Sequence, residues 1–164
     1  MPRIDETLPL VPSILDRLLD EDPDTQQDTV KTRSQVLREM KQSVRRDLEH
    51  LLNTRINWQE YSDQLEELTC SLVNYGLPDF SSANLATSTN RKQFTQLIEE
   101  TIRRYETRFK YVSVSLLTNS EPLDRTMRLK IDAMLYAEPE PEPITFNSIV
   151  EPVNCSLEIS PGKA

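Results

Sequence analysis

Met127-Arg128-Leu129-Lys130-Ile131-Asp132-Ala133-Met134-Leu135 is the stretch that decides the fold. Met127, Leu129, Ile131, Ala133 and Leu135 point one way and Arg128, Lys130 and Asp132 the other, so the period is two and one face is buried. This is the pattern of a half-buried antiparallel strand, because parallel strands are usually covered on both faces. Upstream, Val112, Val114 and Leu116 alternate with Ser113 and Ser115, which predicts a strand over 109–118 and a turn from Asn119 to Arg125. Downstream, Glu138-Pro139-Glu140-Pro141-Glu142-Pro143 is a stiff extended connection that lacks amide donors at its prolines. Two weaker strands, around Ile144–Ile149 and Val153–Ile159, would complete the sheet.

Ahead of the strands the period is 3.6. Thr32 and Gln35 have capping-box spacing, and Leu37, Met40, Val44, Leu48 and Leu51 recur at steps of three and four. Arg38, Lys41 and Arg45 fall on the opposite side, which reads as solvated. Helical order should end near Asn53, a residue that tolerates left-handed geometry, with His50 and Arg55 close to the negative dipole end. Residues 56–66 form a polar connection with Trp58 and Tyr61 as anchors. A short apolar helix from about Leu68 to Asn74 runs into Gly76 at a C-cap position, and Pro78 prevents its continuation. Ser81 to Thr89 reads as loop. Asn90 with Gln93 then caps a third helix, which carries Phe94, Leu97, Ile98, Thr101, Ile102 and Tyr105 on one face.

The expected fold class is therefore α+β, with N-terminal helices followed by a three- to four-stranded, mainly antiparallel sheet. Residues 30–160 make a single domain and 161–164 a tail. Residues 1–29 form an acidic arm, in which Ser13 caps a short helix, Asp16 sits in the first turn, and Ile14, Leu15, Leu18 and Leu19 line one stripe before Asp22-Pro23. Such a helix is too short to be stable alone. It either covers its own core or is presented to a partner.

The totals exclude more than they assign. A net charge of −8 disfavours general binding to nucleic acid or anionic membranes. The basic helix face has no interleaved aromatics and no nucleic-acid motif around it. Cys70 and Cys155 are the only cysteines and lack CxxC spacing, so neither a disulfide framework nor a zinc site is indicated. Met1-Pro2-Arg3-Ile4-Asp5-Glu6 does not read as a signal peptide, and no window has the length to span a bilayer, so a soluble cytoplasmic protein is expected. A catalytic dyad would need His50, the only histidine, and its place near a helix end favours a structural role. With Gly76 the only glycine before Gly162, no phosphate-cradling loop can be written. No catalytic residue, cofactor, metal site or small-molecule substrate is expected. Paired acids are inevitable among 27 carboxylates and do not specify glycoside hydrolysis.

Three phrases point further: Glu49-x-Leu51-Leu52-Asn53-Thr54-Arg55, then Asn74-Tyr75-Gly76-Leu77-Pro78-Asp79, then Glu106-Thr107-Arg108 at a helix-to-strand junction. In this order they resemble the TssE family, the wedge component of the type VI secretion baseplate, which is related to a phage baseplate wedge family that has carried a lysozyme-like label. The family's third phrase is Glu-Pro-Arg, and Thr107 here restores an amide donor and frees a φ angle. The resemblance implies a structural part and no enzyme. Its partners would be other baseplate wedge subunits and sheath subunits, with the helical part in the wedge and the sheet reaching the first layer of the contractile sheath. It marks Glu106, Arg108, Asn53, Arg55 and the arm residues Leu15, Arg17 and Leu18 for partner contact. Arg108 would fork onto a partner carboxylate or helix-terminal carbonyls and Glu106 would receive a partner Arg or Lys, or the two would pair within the chain. An unpaired sheet edge would accept a strand from another chain. The alternatives are a cell-wall hydrolase attached to the same apparatus and a cytosolic adaptor that uses the N-terminal helix.

Overall fold

A computed structural model describes residues 13–18, 32–56, 65, 67–68, 71–80, 87–117, 126–137, 140–151 and 156–162. Four strands, β1 (Phe109–Leu117), β2 (Met127–Leu135), β3 (Glu142–Glu151) and β4 (Ser156–Pro161), form one antiparallel sheet in the order β1-β2-β3-β4. The alternation read in the sequence sets the register. Val114 lies opposite Ile131, which lies opposite Phe146, and all three are buried. The other face is polar, with Asp132 receiving hydrogen bonds from Lys130 at 2.9 Å and Thr145 at 2.7 Å. Burial pushes the Asp132 carboxyl up, but these two donors outweigh it and hold it below the ordinary value.

β3 is longer than expected, because Glu142 and Pro143 belong to it and not to the proline-rich connection. Pro143 lies opposite Met134, while β4 pairs with β3 only from Phe146 onward, so the missing amide interrupts no ladder on that side.

Helices α1 (Ile14–Leu18), α2 (Arg33–Asn53) and α3 (Ser88–Tyr105) are the α-helices among the described residues. The Thr32 backbone N–H donates to Gln35 Oε1 at 2.8 Å and opens α2. Met40, Val44, Leu48, Leu51 and Leu52 from α2 and Phe94, Ile98 and Ile102 from α3 enter the core. α2 packs along β4 and α3 along β1, so a helical layer covers the apolar face of the sheet. α3 begins two residues before Asn90, at Ser88, with Thr87 in the cap position. Threonine and serine serve at a helix start nearly as well as asparagine, so a Thr-Ser-Thr-Asn run does not specify which residue comes first.

The basic side of α2 is less solvated than its spacing suggests. Arg38 is exposed, but Lys41 bonds Glu142 at 2.8 Å and Arg45 reaches the Ile159 carbonyl at 3.4 Å. Long side chains on the flank of a helix that lies beside a strand can reach over to it.

The segment read as an apolar helix from Leu68 to Asn74 contains a 3-10 turn at Leu72–Asn74, with Leu72 and Val73 exposed. Ser71 caps it by accepting from the Val73 amide. Gly76 therefore caps no α-helix. It has φ +112°, and a Cβ there would lie 2.3 Å from the Thr54 carbonyl oxygen. The cause is a two-residue parallel bridge between Arg55 and Leu77, in which Leu77 N–H donates to Thr54 O at 2.9 Å and Ile56 N–H to Leu77 O at 3.0 Å. Two phrases distant in sequence thus meet through backbone contact that only glycine permits. Trp58, Tyr61, Leu19, both cysteines and the turn from Asn119 to Arg125 lie outside the described residues.

Candidate partner-binding site

α3 ends at Tyr105, where the Glu106 amide still donates to Ile102 O at 2.8 Å, and β1 begins four residues later at Phe109. This sharp exit places Glu106 under the helix end, only 7% exposed. A buried carboxylate needs donors, and Arg108 supplies them in a fork: Nε to Oε1 at 2.7 Å and an Nη to Oε2 at 2.6 Å. The Arg108 amide adds a third bond at 3.2 Å. The remaining guanidinium donors reach Asp47 at 2.7 Å and the Ser43 hydroxyl at 3.3 Å on α2. Burial pulls the Arg108 pKa down, but Glu106 and then Asp47 reverse this and raise it, so the side chain stays charged.

The chain of charges continues outward. Asp47 accepts from Arg46 at 3.1 Å, and Arg46 bonds Asp16 of α1 at 3.0 Å. Asp16 also receives the Ser43 hydroxyl at 2.7 Å and the Ser13 hydroxyl at 2.6 Å. Burial pushes Asp16 up, but donors from Ser13, Ser43 and Arg46 overcome this and hold its carboxyl below the ordinary value. One polar network therefore joins the arm helix, the middle of α2 and the junction between α3 and β1.

α1 docks by its polar side. Its apolar residues face outward, with Ile14 78%, Leu15 56% and Leu18 75% exposed. The Arg17 backbone belongs to α1, but its side chain lies outside the described residues. Ile14, Leu15 and Leu18 stay outside the core, and the fourth residue of the stripe, Leu19, lies outside the described residues.

The other sequence-marked residues have internal tasks. Asn53 Nδ2 donates to Leu157 O and Oδ1 accepts from Leu157 N–H, both at 2.9 Å, so its amide pairs with the outer edge of β4 as another strand would. Asn53 itself is helical, and the chain leaves α2 through Thr54 in extended geometry (φ −78°, ψ 138°). The Arg55 guanidinium stacks 4.5 Å over the Phe80 ring and an Nη reaches the Leu52 carbonyl at 3.3 Å. Glu106 and Arg108 pair with each other. Sequence reading missed Ser43, Arg46 and Asp47 as the links. Their spacing of three and one on α2 was the available signal, since it sets Ser43 and Asp47 one turn apart beside buried Val44 and Leu48, with Arg46 next to them.

A sequence model described as baseplate wedge protein gp25 matches residues 38–140, more than half of the chain. The chain belongs to the gp25 baseplate wedge family. Among curated proteins nothing matches it. The family match runs from the second turn of α2 through the Gly76 bridge, α3, the Glu106–Arg108 junction, β1 and β2. The arm helix, β3 and β4 lie beyond it. Membership assigns a structural role in a baseplate, where other baseplate proteins are the neighbours. No helix among the described residues is long and apolar enough to cross a membrane.

Proposed function

We propose that this gp25-family protein is a type VI secretion baseplate component of the TssE kind, working in the cytoplasm at the inner face of the inner membrane. It joins the wedge complex to the first layer of the contractile sheath. The arm helix and the network beneath it engage wedge subunits, and the sheet engages sheath subunits by strand pairing and ionic contacts. No turnover is involved.

The observation that carries this reading is the orientation of α1. A five-residue helix cannot persist by itself, yet Asp16 anchors it while Ile14, Leu15 and Leu18 stay in solvent. A stripe fixed outward in this way suits the apolar groove of a neighbour. Glu106 and Arg108 then act as the base that seats the arm, and their contribution to capture passes through Asp47, Arg46 and Asp16.

The test is co-purification of candidate wedge subunits with a Leu15→Glu, Leu18→Glu variant. Capture should fall at least tenfold while the melting temperature of the isolated protein stays unchanged. Undiminished capture would remove the arm from the interface.

A further inference from the structure

The two outer edges of the sheet are closed by different means. β4 is capped by Asn53, whose amide takes both backbone groups of Leu157, and by Arg45 at the Ile159 carbonyl. Among the described residues, the side chain that meets the outer edge of β1 is a carboxylate: Glu99 Oε2 of α3 accepts the Val114 N–H at 3.1 Å. That bond shows Val114 facing away from β2, and Leu116, two residues on, has the same orientation. Beside this bridge, α3 and β1 enclose a cleft of about 500 Å3, lined by Arg91, Lys92, Thr95, Gln96, Val114 and Leu116. Its floor is apolar, one wall is a strand edge and its rim is basic.

We propose that Glu99 is a removable guard on this edge, and that the cleft takes an extended partner segment whose cleft-facing residues, every second one along the strand, are apolar over Val114 and Leu116 and then acidic toward Arg91 and Lys92. The proposal rests on the strand-pairing reading above and adds which edge is used, what the incoming strand carries and what it must displace. An incoming strand offers its own carbonyl to Val114 N–H, sets two successive cleft-facing apolar side chains on Val114 and Leu116, and brings a carboxylate at the next cleft-facing position to Arg91 and Lys92. Glu99 retains a second partner when displaced, since Arg103 one turn later already bonds its other oxygen at 2.6 Å. The swap therefore leaves no stranded charge. Before assembly the guard satisfies the amide and keeps chance strands from pairing, as charges on edge strands do elsewhere.

The test uses the full chain and a short synthetic peptide that carries valine, valine and glutamate at successive alternate positions, with threonine between them. Amide exchange at Val114 should quicken about tenfold in Glu99→Ala and remain near the parent rate in Glu99→Gln, which keeps an acceptor. Glu99→Ala should bind the peptide about fivefold more tightly, the worth of one competing hydrogen bond. Leu116→Pro, which blocks an outward amide, should abolish binding in either background. Lys92→Glu, an exposed substitution, serves the same purpose if the proline variant fails to fold, and it should weaken binding of the acidic peptide. Loss of binding in Leu116→Pro or Lys92→Glu without any gain in Glu99→Ala overturns the guard and leaves the strand-pairing reading intact. Peptide binding that neither blocking variant disturbs, or no peptide binding by any form, overturns the use of this edge itself. Self-association of Glu99→Ala in place of peptide capture would make the occupant a second copy and defeat the proposed partner.

Discussion

Arg108 shows how burial changes what a charged residue can do. An Arg–Glu pair two residues apart at a surface contributes little, and at such a place the fork would be free for another chain. Here Glu106 is buried, so Arg108 is first the neutralising partner of an otherwise costly carboxylate. Breaking a fully buried pair costs about 3–5 kcal/mol, and because the Arg108 side chain is 23% exposed we expect Arg108→Ala to cost about 2 kcal/mol. Adding Glu106→Gln should return part of that loss, since a neutral amide no longer needs the guanidinium. Denaturant unfolding of both single variants and the double variant measures the coupling. Strictly additive losses would mean that the fork contributes nothing to the fold. For partner assays the consequence is direct: a defect in Arg108→Ala reports on capture only after folding has been checked.

Among the elements, the edges decide what the sheet can join. A helix side chain that bonds both N–H and C=O of one edge residue does locally what a fifth strand would do, and Asn53 has the reach because α2 ends beside β4. Asn53→Ala removes both bonds to Leu157 and a third to the Glu49 carbonyl, at an expected cost of about 2 kcal/mol. It should also uncover the β4 edge, producing self-association that grows with concentration in sedimentation experiments. A variant that remains monomeric would show that this edge needs no cap. Much of this layer could be read from the residues alone. The strict alternation from Met127 to Leu135 fixes the bounds of β2 because a one-residue slip would turn every apolar side chain outward. Boundaries were lost where several residues serve equally, as at Thr87-Ser88-Thr89-Asn90, or where a proline could begin a strand as well as precede one. The Gly76 bridge and the Asn53 cap were not readable, because both depend on where a distant segment comes to lie. A lone glycine and a helix-terminal asparagine each have a sufficient local explanation that hides the long-range one.

At the scale of the whole molecule, the polar network makes the arm's position depend on protonation. Asp16 connects α1 to the domain through Ser43 and Arg46, and docking lowers its pKa relative to the ordinary carboxylate value. The sign follows from linkage. A carboxyl whose pKa is depressed when docked contributes its full stabilisation above its undocked value, near 3.8, and loses it as the pH falls through the lower docked value. At neutral pH the arm is therefore seated, and acidification below about 4 should release it. Arg46 keeps its charge throughout, so the release belongs to Asp16 and not to loss of the cation. Asp132 has a depressed pKa for a similar reason, so acid weakens the sheet as well, and the two events need separate probes. Amide chemical shifts at Ile14 and Leu15 report the arm, and far-ultraviolet circular dichroism reports the fold. Asp16→Asn should abolish the acid transition at Ile14 and Leu15 while the circular dichroism titration remains that of the parent protein. High salt should imitate acid only in part, because Arg46 is 38% exposed and screened but the Ser13 and Ser43 hydroxyl bonds carry no net charge to screen. An arm whose shifts ignored both pH and Asp16→Asn would be held by something other than this network, and the link from Glu106 and Arg108 to the apolar stripe would be broken with it.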